Sequence, residues 1–119
     1  MPTPLVIDPQ AIENLRALTP GDNDEFLREI IGIFLQDTPQ RITELEQSLV
    51  ASDQPRFTRA AHSIKGSSSN LGALALRAVA ERLEHQSKQS GVAGLEPMIA
   101  ELKSEFAQAT AALEQIVKH

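Results

Sequence analysis

The 119-residue chain contains no cysteine, no tryptophan and no tyrosine, and its four aromatic residues are all phenylalanine. Without cysteine there is no disulfide framework, no thiolate metal site and no cysteine nucleophile. Positive charge is short as well: 11 Lys and Arg against 16 Asp and Glu leave a formal net charge of −5. With no basic run and few rings to stack on, nucleic acid is not an expected partner, because phosphate tracking needs clustered cations and single strands want aromatic platforms. Long apolar runs are missing too. No stretch approaches a membrane span, and the opening MPTPLVIDPQ lacks the basic region and apolar run of a secretory signal. A cytoplasmic protein without membrane attachment is expected, and the start at Met1 favours a free-standing chain over an excised domain. The histidines His62, His85 and His119 stand too far apart for a local metal motif, and no cofactor is expected.

What the sequence does have is helical periodicity, almost end to end, with no convincing strand. The length suits one domain, 1–119, with a single core. Asp8 as N-cap, Pro9 at the first helical position and an Ile7–Ile12 staple open a short helix over about 8–18. Asp22 with Glu25 as a capping box starts a second helix over about 23–52. Its apolar positions Leu27, Ile31, Phe34, Leu35, Ile42, Leu45 and Leu49, with Thr38 filling one turn, keep their phase through Pro39. An unbroken phase predicts a kink at that proline rather than a stop. Phe26, Ile30 and Ile33 form a second stripe on the first half, for which the short helix is the nearest cover. Further helices are predicted over about 54–70, 73–89 and 95–117, the last from Leu95, Ile99, Leu102, Phe106, Ala109, Leu113 and Ile116. The pattern predicts an all-α, antiparallel four-helix bundle, with the additional short N-terminal helix capping one end.

One stretch resists a purely structural account. Ala60–Ala73, AAHSIKGSSSNLGA, puts a histidine, a lysine, a glycine and three serines inside the third helix, although glycine there costs about 1 kcal/mol relative to alanine. On a wheel with Phe57 at zero, Ala61, Ile64, Ser68 and Leu71 fall within about 40° of it. His62 falls near 140°, Lys65 near 80°, Gly66 near 180° and Ser69 near 120°, all roughly, on the outward side. Helical side chains lean towards the N-terminus, so a side chain at 66 would lie over the turn carrying His62, and glycine leaves that approach open. Lys65 brings a cation that attracts anions and disfavours a protonated ring, leaving the neutral imidazole that a nucleophile requires. The pattern suits a histidine that receives a phosphoryl group. It also suits an ordinary solvated surface next to a helix end.

The same stretch resembles the signature of histidine-containing phosphotransfer (HPt) domains, a phosphoacceptor histidine followed by lysine at the third position and glycine at the fourth. FLREIIGIFLQDTPQRITELEQSL resembles that family's long second helix, so the likeness covers most of the chain. The resemblance implies that His62 is phosphorylated at Nε2, that Lys65 stabilises the phosphoryl group and that Gly66 keeps access open. It also implies an imidazole-orienting residue on the next helix, for which Glu84 has the matching offset. Ser69 is either a further contact to the phosphoryl oxygens or a helix-end cap. The implied partners are response-regulator receiver domains, which hold Mg²⁺ and the phospho-aspartate, or a hybrid sensor histidine kinase. The chain itself is then a monomeric carrier rather than an enzyme, docking receivers on helices one to three, where Ile12, Leu15 and Ile30 are either candidate contacts or, the weightier alternative for each, buried inside the helix-one contact. No Walker-type loop, kinase-like glycine cluster or acidic metal triad is present. Two alternatives remain: an acceptor phosphorylated directly by a histidine kinase, and a helical adaptor without phosphotransfer. A hydrolase using Ser67, Ser68 or Ser69 lacks a nucleophile elbow and an evident base. His85 and His119 receive no role.

Overall fold

A computed structural model describes residues 3–118, so His119 lies outside the described residues. Five helices follow one another: α1 (Pro9–Arg16), α2 (Glu25–Val50), α3 (Gln54–Asn70), α4 (Leu74–Ser90) and α5 (Glu96–Ile116). Among the described residues there is no strand, and none of the helices is long and apolar enough to cross a membrane. α2 to α5 pack as a bundle around Leu45, Phe57, Leu83, Leu102 and Leu113, all fully buried. Phe34 and Phe106, with ring centroids 5.7 Å apart, join α2 to α5.

The helix ends explain how the short chain turns. Asp8 caps α1, its carboxylate accepting from the Gln10 amide, and Asp53 caps α3 by accepting from the Arg56 amide. α2 starts differently from the predicted capping box. Asn23 and Asp24 both adopt left-handed backbone, which swings the Asp22 carboxylate beneath the first turn to accept from the amides of Asp24 and Phe26. Among the described residues no side-chain bond from Glu25 completes the box. Asp24 then accepts both Nε and Nη2 of Arg16, tying the end of α1 to the start of α2. α2 is unbroken through Pro39. That proline stands on the exposed face, where water can reach the Leu35 carbonyl that its missing N–H leaves free.

α1 closes the end of the bundle where α3 hands over to α4. The Asp8 amide donates to the Gly72 carbonyl, and the Ala75 amide donates to the Leu5 carbonyl, each at 2.8 Å. Gly72 has φ +70°, and a Cβ built there would stand 2.5 Å from the Ala11 Cβ. Both the conformation and the close approach of α1 therefore require glycine. Gly72→Ala is expected to cost roughly 2–4 kcal/mol in denaturant unfolding, the sum of left-handed strain and displacement of α1. The burial of Ile12 is part of the same contact, with 2% of its surface exposed.

Candidate functional site

α3 turns one face inward through Phe57, Ala61, Ile64, Ser68 and Leu71, each at most 1% exposed, and this fixes its rotation. His62, next to Ala61, is consequently carried outward with 66% of its side chain exposed. α4 packs beside α3 and is rotated by buried Val79, Ala80 and Leu83, which leaves Glu84 at the border of the core with only 7% exposed. Glu84 reaches across to the ring: its Oε2 lies 2.8 Å from His62 Nδ1. Its other oxygen, Oε1, lies 2.7 Å from Lys65 Nζ, and Lys88 Nζ approaches Oε2 at 3.5 Å.

The chemistry of this arrangement follows from the state of the carboxyl. Burial pushes the Glu84 carboxyl up, but hydrogen bonds from Lys65 and His62 outweigh it and bring it down to about 2. At neutral pH it is a carboxylate, which can only accept. Nδ1 must therefore donate, and in a neutral ring that leaves the lone pair on Nε2. Among the described residues no group hydrogen-bonds Nε2. The nitrogen available for attack is thus the one that faces solvent.

Lys65 does not stand free beside the ring. Its ammonium is held by Glu84, so it acts on His62 through the shared carboxylate. Gly66 is exposed, and a Cβ built on it would meet nothing within 4 Å. No internal contact demands glycine there, which separates two effects in a single variant. Gly66→Ala is expected to stabilise the fold by about 1 kcal/mol, read by thermal unfolding, through improved helix propensity. The same variant is expected to slow phosphoryl transfer from a protein donor several-fold, because the added methyl occupies the approach to the imidazole.

Ser69 lies roughly 10 Å further along the helix axis from His62. Its hydroxyl accepts from Arg77 Nε at 2.7 Å, and Arg77 also lies 3.7 Å from Glu81. Ser67 and Ser68 donate to the carbonyls of Ser63 and Ile64, so the polar run on the inner side is satisfied within its own helix. His85 is exposed on α4, in a cleft with Lys65, Glu81, Glu84 and Lys88. Two cations near the histidine, Lys88 and Arg59, and a third at Ser69, Arg77, were not singled out from sequence. Lys88 sits four residues beyond Glu84, a spacing that is readable on one helix. Arg59 sits three before His62 on the same helix. Arg77 reaches Ser69 only through the crossing of α3 and α4, for which no local signal exists.

Of the apolar docking candidates, Ile12 takes the alternative reading, burial within the α1 contact, while Leu15 and Ile30 keep part of their surface. The latter two are half-buried and packed against the core, because α1 lies down on the first half of α2. The large apolar side chains left outside in this part of the chain are Leu18, 67% exposed, and Ile33, 60% exposed. Ile33 also shows that α1 leaves part of the second stripe uncovered. Among the described residues no group of three or more His, Asp or Glu could hold a metal ion.

Comparison with known proteins meets this geometry from another side. Residues 29–116 match the Hpt domain. Multistep phosphorelay regulator 1 of Schizosaccharomyces pombe is 29% identical over 80 residues, an alignment covering 67% of this chain and 27% of that protein. The chain therefore spans little more than a quarter of that relative's length. Among solved structures, histidine-containing phosphotransfer protein B of Pseudomonas aeruginosa superposes with a TM-score of 0.82 at 26% identity, covering 95% of each chain. The HPT domain of a sensor hybrid histidine kinase from Shewanella gives a TM-score of 0.73 at 19% identity, covering 95% of this chain and 94% of that one, a likeness of fold.

Proposed function

Because the chain belongs to the Hpt domain family, the histidine phosphotransfer modules of two-component phosphorelays, we propose that His62 is its phosphoacceptor and receiver domains are its partners. The observation that carries this reading is the pairing of Nδ1 with Glu84 at 2.8 Å, which leaves Nε2 bare and nucleophilic. In the forward step the Nε2 lone pair forms the N–P bond while the bond from phosphorus to the aspartyl oxygen breaks and returns a carboxylate to the receiver. The Nδ1 proton stays on the ring, held by Glu84, so the phosphorylated imidazole is not left as an isolated charge. Lys65, within reach of the same carboxylate, supplies positive charge beside the incoming phosphoryl oxygens. The reverse step hands the group to the aspartate of a second receiver.

Phosphoryl transfer needs positioning and charge stabilisation more than covalent help from the protein. Positioning is what a rigid helix with a fixed tautomer provides. The Mg²⁺ required by the transfer is brought by the receiver domain, and no residue cluster of this chain is assigned to it. The reading makes the protein a monomeric phosphoryl carrier of the cytoplasm, without ATP binding or kinase activity of its own. Gly66 is assigned to access. Ser69 is assigned at most an outer contact through Arg77.

The test is incubation with a radiolabelled phospho-receiver and Mg²⁺, followed by acid and base treatment of the labelled protein. Label that is lost in acid and kept in base identifies a phosphohistidine. If a panel of receivers, including those encoded beside the gene, leaves the protein unlabelled, the adaptor reading replaces this one.

A further inference from the structure

The charge of the chain is unevenly distributed. Despite a net charge of −5, α3 carries Arg56, Arg59 and Lys65 and not a single Asp or Glu, whereas every other helix contains acids. Two of the three cations are engaged within the molecule. Arg56 bonds Gln47 and lies 3.8 Å from Glu44 of α2, and Lys65 is held by Glu84. Arg59 is exposed and makes no ion pair or side-chain hydrogen bond among the described residues. It stands one turn before His62, in a groove shared with Thr58, His62, Ser63, Glu84 and Lys88. Lys88 forms the opposite wall, 62% exposed and only loosely joined to Glu84 at 3.5 Å.

An unpaired guanidinium beside the reactive nitrogen of an acidic protein has no part in holding the fold. Exposed charges interact over about 8–10 Å at ordinary salt, beyond direct contact distance. A partner that delivers a phosphoryl group from an aspartate, at a site where carboxylates hold Mg²⁺, presents an anionic rim. We propose that Arg59, with Lys88 across the groove, forms a cationic rim that steers the anionic face of the phospho-aspartyl partner onto His62. This rests on the carrier reading and gives Arg59 a role at encounter rather than in the chemical step. Complementary rim charges act mainly on association and its salt dependence, accelerating it by about 10- to 1,000-fold in favourable cases.

The experiment measures kcat and KM for transfer from a phosphorylated receiver to the full chain across a range of ionic strength. Wild type, Arg59→Gln, Arg59→Glu and Arg82→Glu are compared. Arg82 pairs with Glu101 on the α4–α5 side, so its variant changes net charge equally but away from the groove. The expected result for Arg59→Glu is kcat/KM lowered roughly tenfold at low salt, the loss carried by KM, with a flatter dependence on salt. Arg59→Gln is expected to fall between it and wild type, and Arg82→Glu to keep the wild-type slope. A loss carried by kcat with an unchanged salt slope, or an equal loss in Arg82→Glu, overturns the proposal. So does a labelled wild type that Arg59→Glu matches. Absence of label on the wild type overturns the carrier reading itself, and this proposal with it.

Discussion

His62→Gln is expected to take up no phosphoryl label under conditions that label the wild type, and to remain folded. The first half of this result follows from the loss of the nitrogen lone pair: a carboxamide nitrogen is delocalised into its carbonyl and does not attack phosphorus. Of the other histidines in the described residues, His85 is exposed but lies in a different cleft, on α4. The second half follows from the 66% exposure of the His62 side chain, which contributes nothing to the core. The change in stability is expected to stay within about 0.5 kcal/mol, the range of ordinary surface substitutions. The glutamine amide can still donate to Glu84, so the carboxylate is not abandoned. Labelling with a phospho-receiver, read beside circular dichroism of the same sample, checks both halves. Residual acid-labile label on the variant would move the acceptor to another residue.

Glu84→Ala is expected to lower the rate of phosphoryl uptake by about one to two orders of magnitude, by analogy with the loss on removing a group that orients a metal-binding imidazole. Without the carboxylate nothing selects the Nδ1–H tautomer, and the proton can occupy the nitrogen that should attack. Glu84→Gln should lie between alanine and wild type. Its carbonyl can still accept from Nδ1–H, but its NH₂ group is a poor neighbour for the Lys65 ammonium. Stability should fall as well, by about 2 kcal/mol, since Lys65 loses the partner of a largely buried, charged hydrogen bond. The pH dependence has a definite sign. The Glu84 carboxyl sits at about 2 in the folded protein against an ordinary value of 4.5. Its contribution is fully present above about pH 4.5 and is lost as the pH falls towards 2. In Glu84→Ala this component of the acid limb of unfolding should be missing. Single-turnover labelling and acid titration of the unfolding midpoint test the two claims independently.

The fold was readable because its cues are local and repeat. The inward positions of α3 follow from spacing alone, and the unbroken apolar phase across Pro39 marks one long α2. What was not readable depends on pieces meeting in space. The short first helix was legible as the cover of the second stripe of α2, but periodicity does not tell how much of it is covered: Ile12 is buried, Leu15 and Ile30 are half-buried, and Ile33 stays outside. At the start of α2 the sequence marks Asp22 as the capping residue but not the route: the left-handed pair Asn23–Asp24, neither of them glycine, brings its carboxylate to the amides of Asp24 and Phe26 and leaves Glu25 out of the box. At the site, wheel geometry put His62 outward and Glu84 at the border of its helix. That the carboxylate would serve the ring and Lys65 at once is a property of the α3–α4 crossing. Lys65 thereby gains a second task beside its charge, since it also helps to hold the carboxylate that orients the ring.

With His62 as the proposed acceptor, its bare Nε2 also has a consequence for the kinetics of the relay. On that reading donor and recipient must both reach one nitrogen on one exposed helix face, so they are expected to exclude each other and to form no ternary complex. Double-reciprocal plots at several recipient concentrations should therefore be parallel, the signature of a substituted-carrier cycle. A spent donor that lingers then blocks the recipient, so a partner that binds too tightly would inhibit the traffic it feeds.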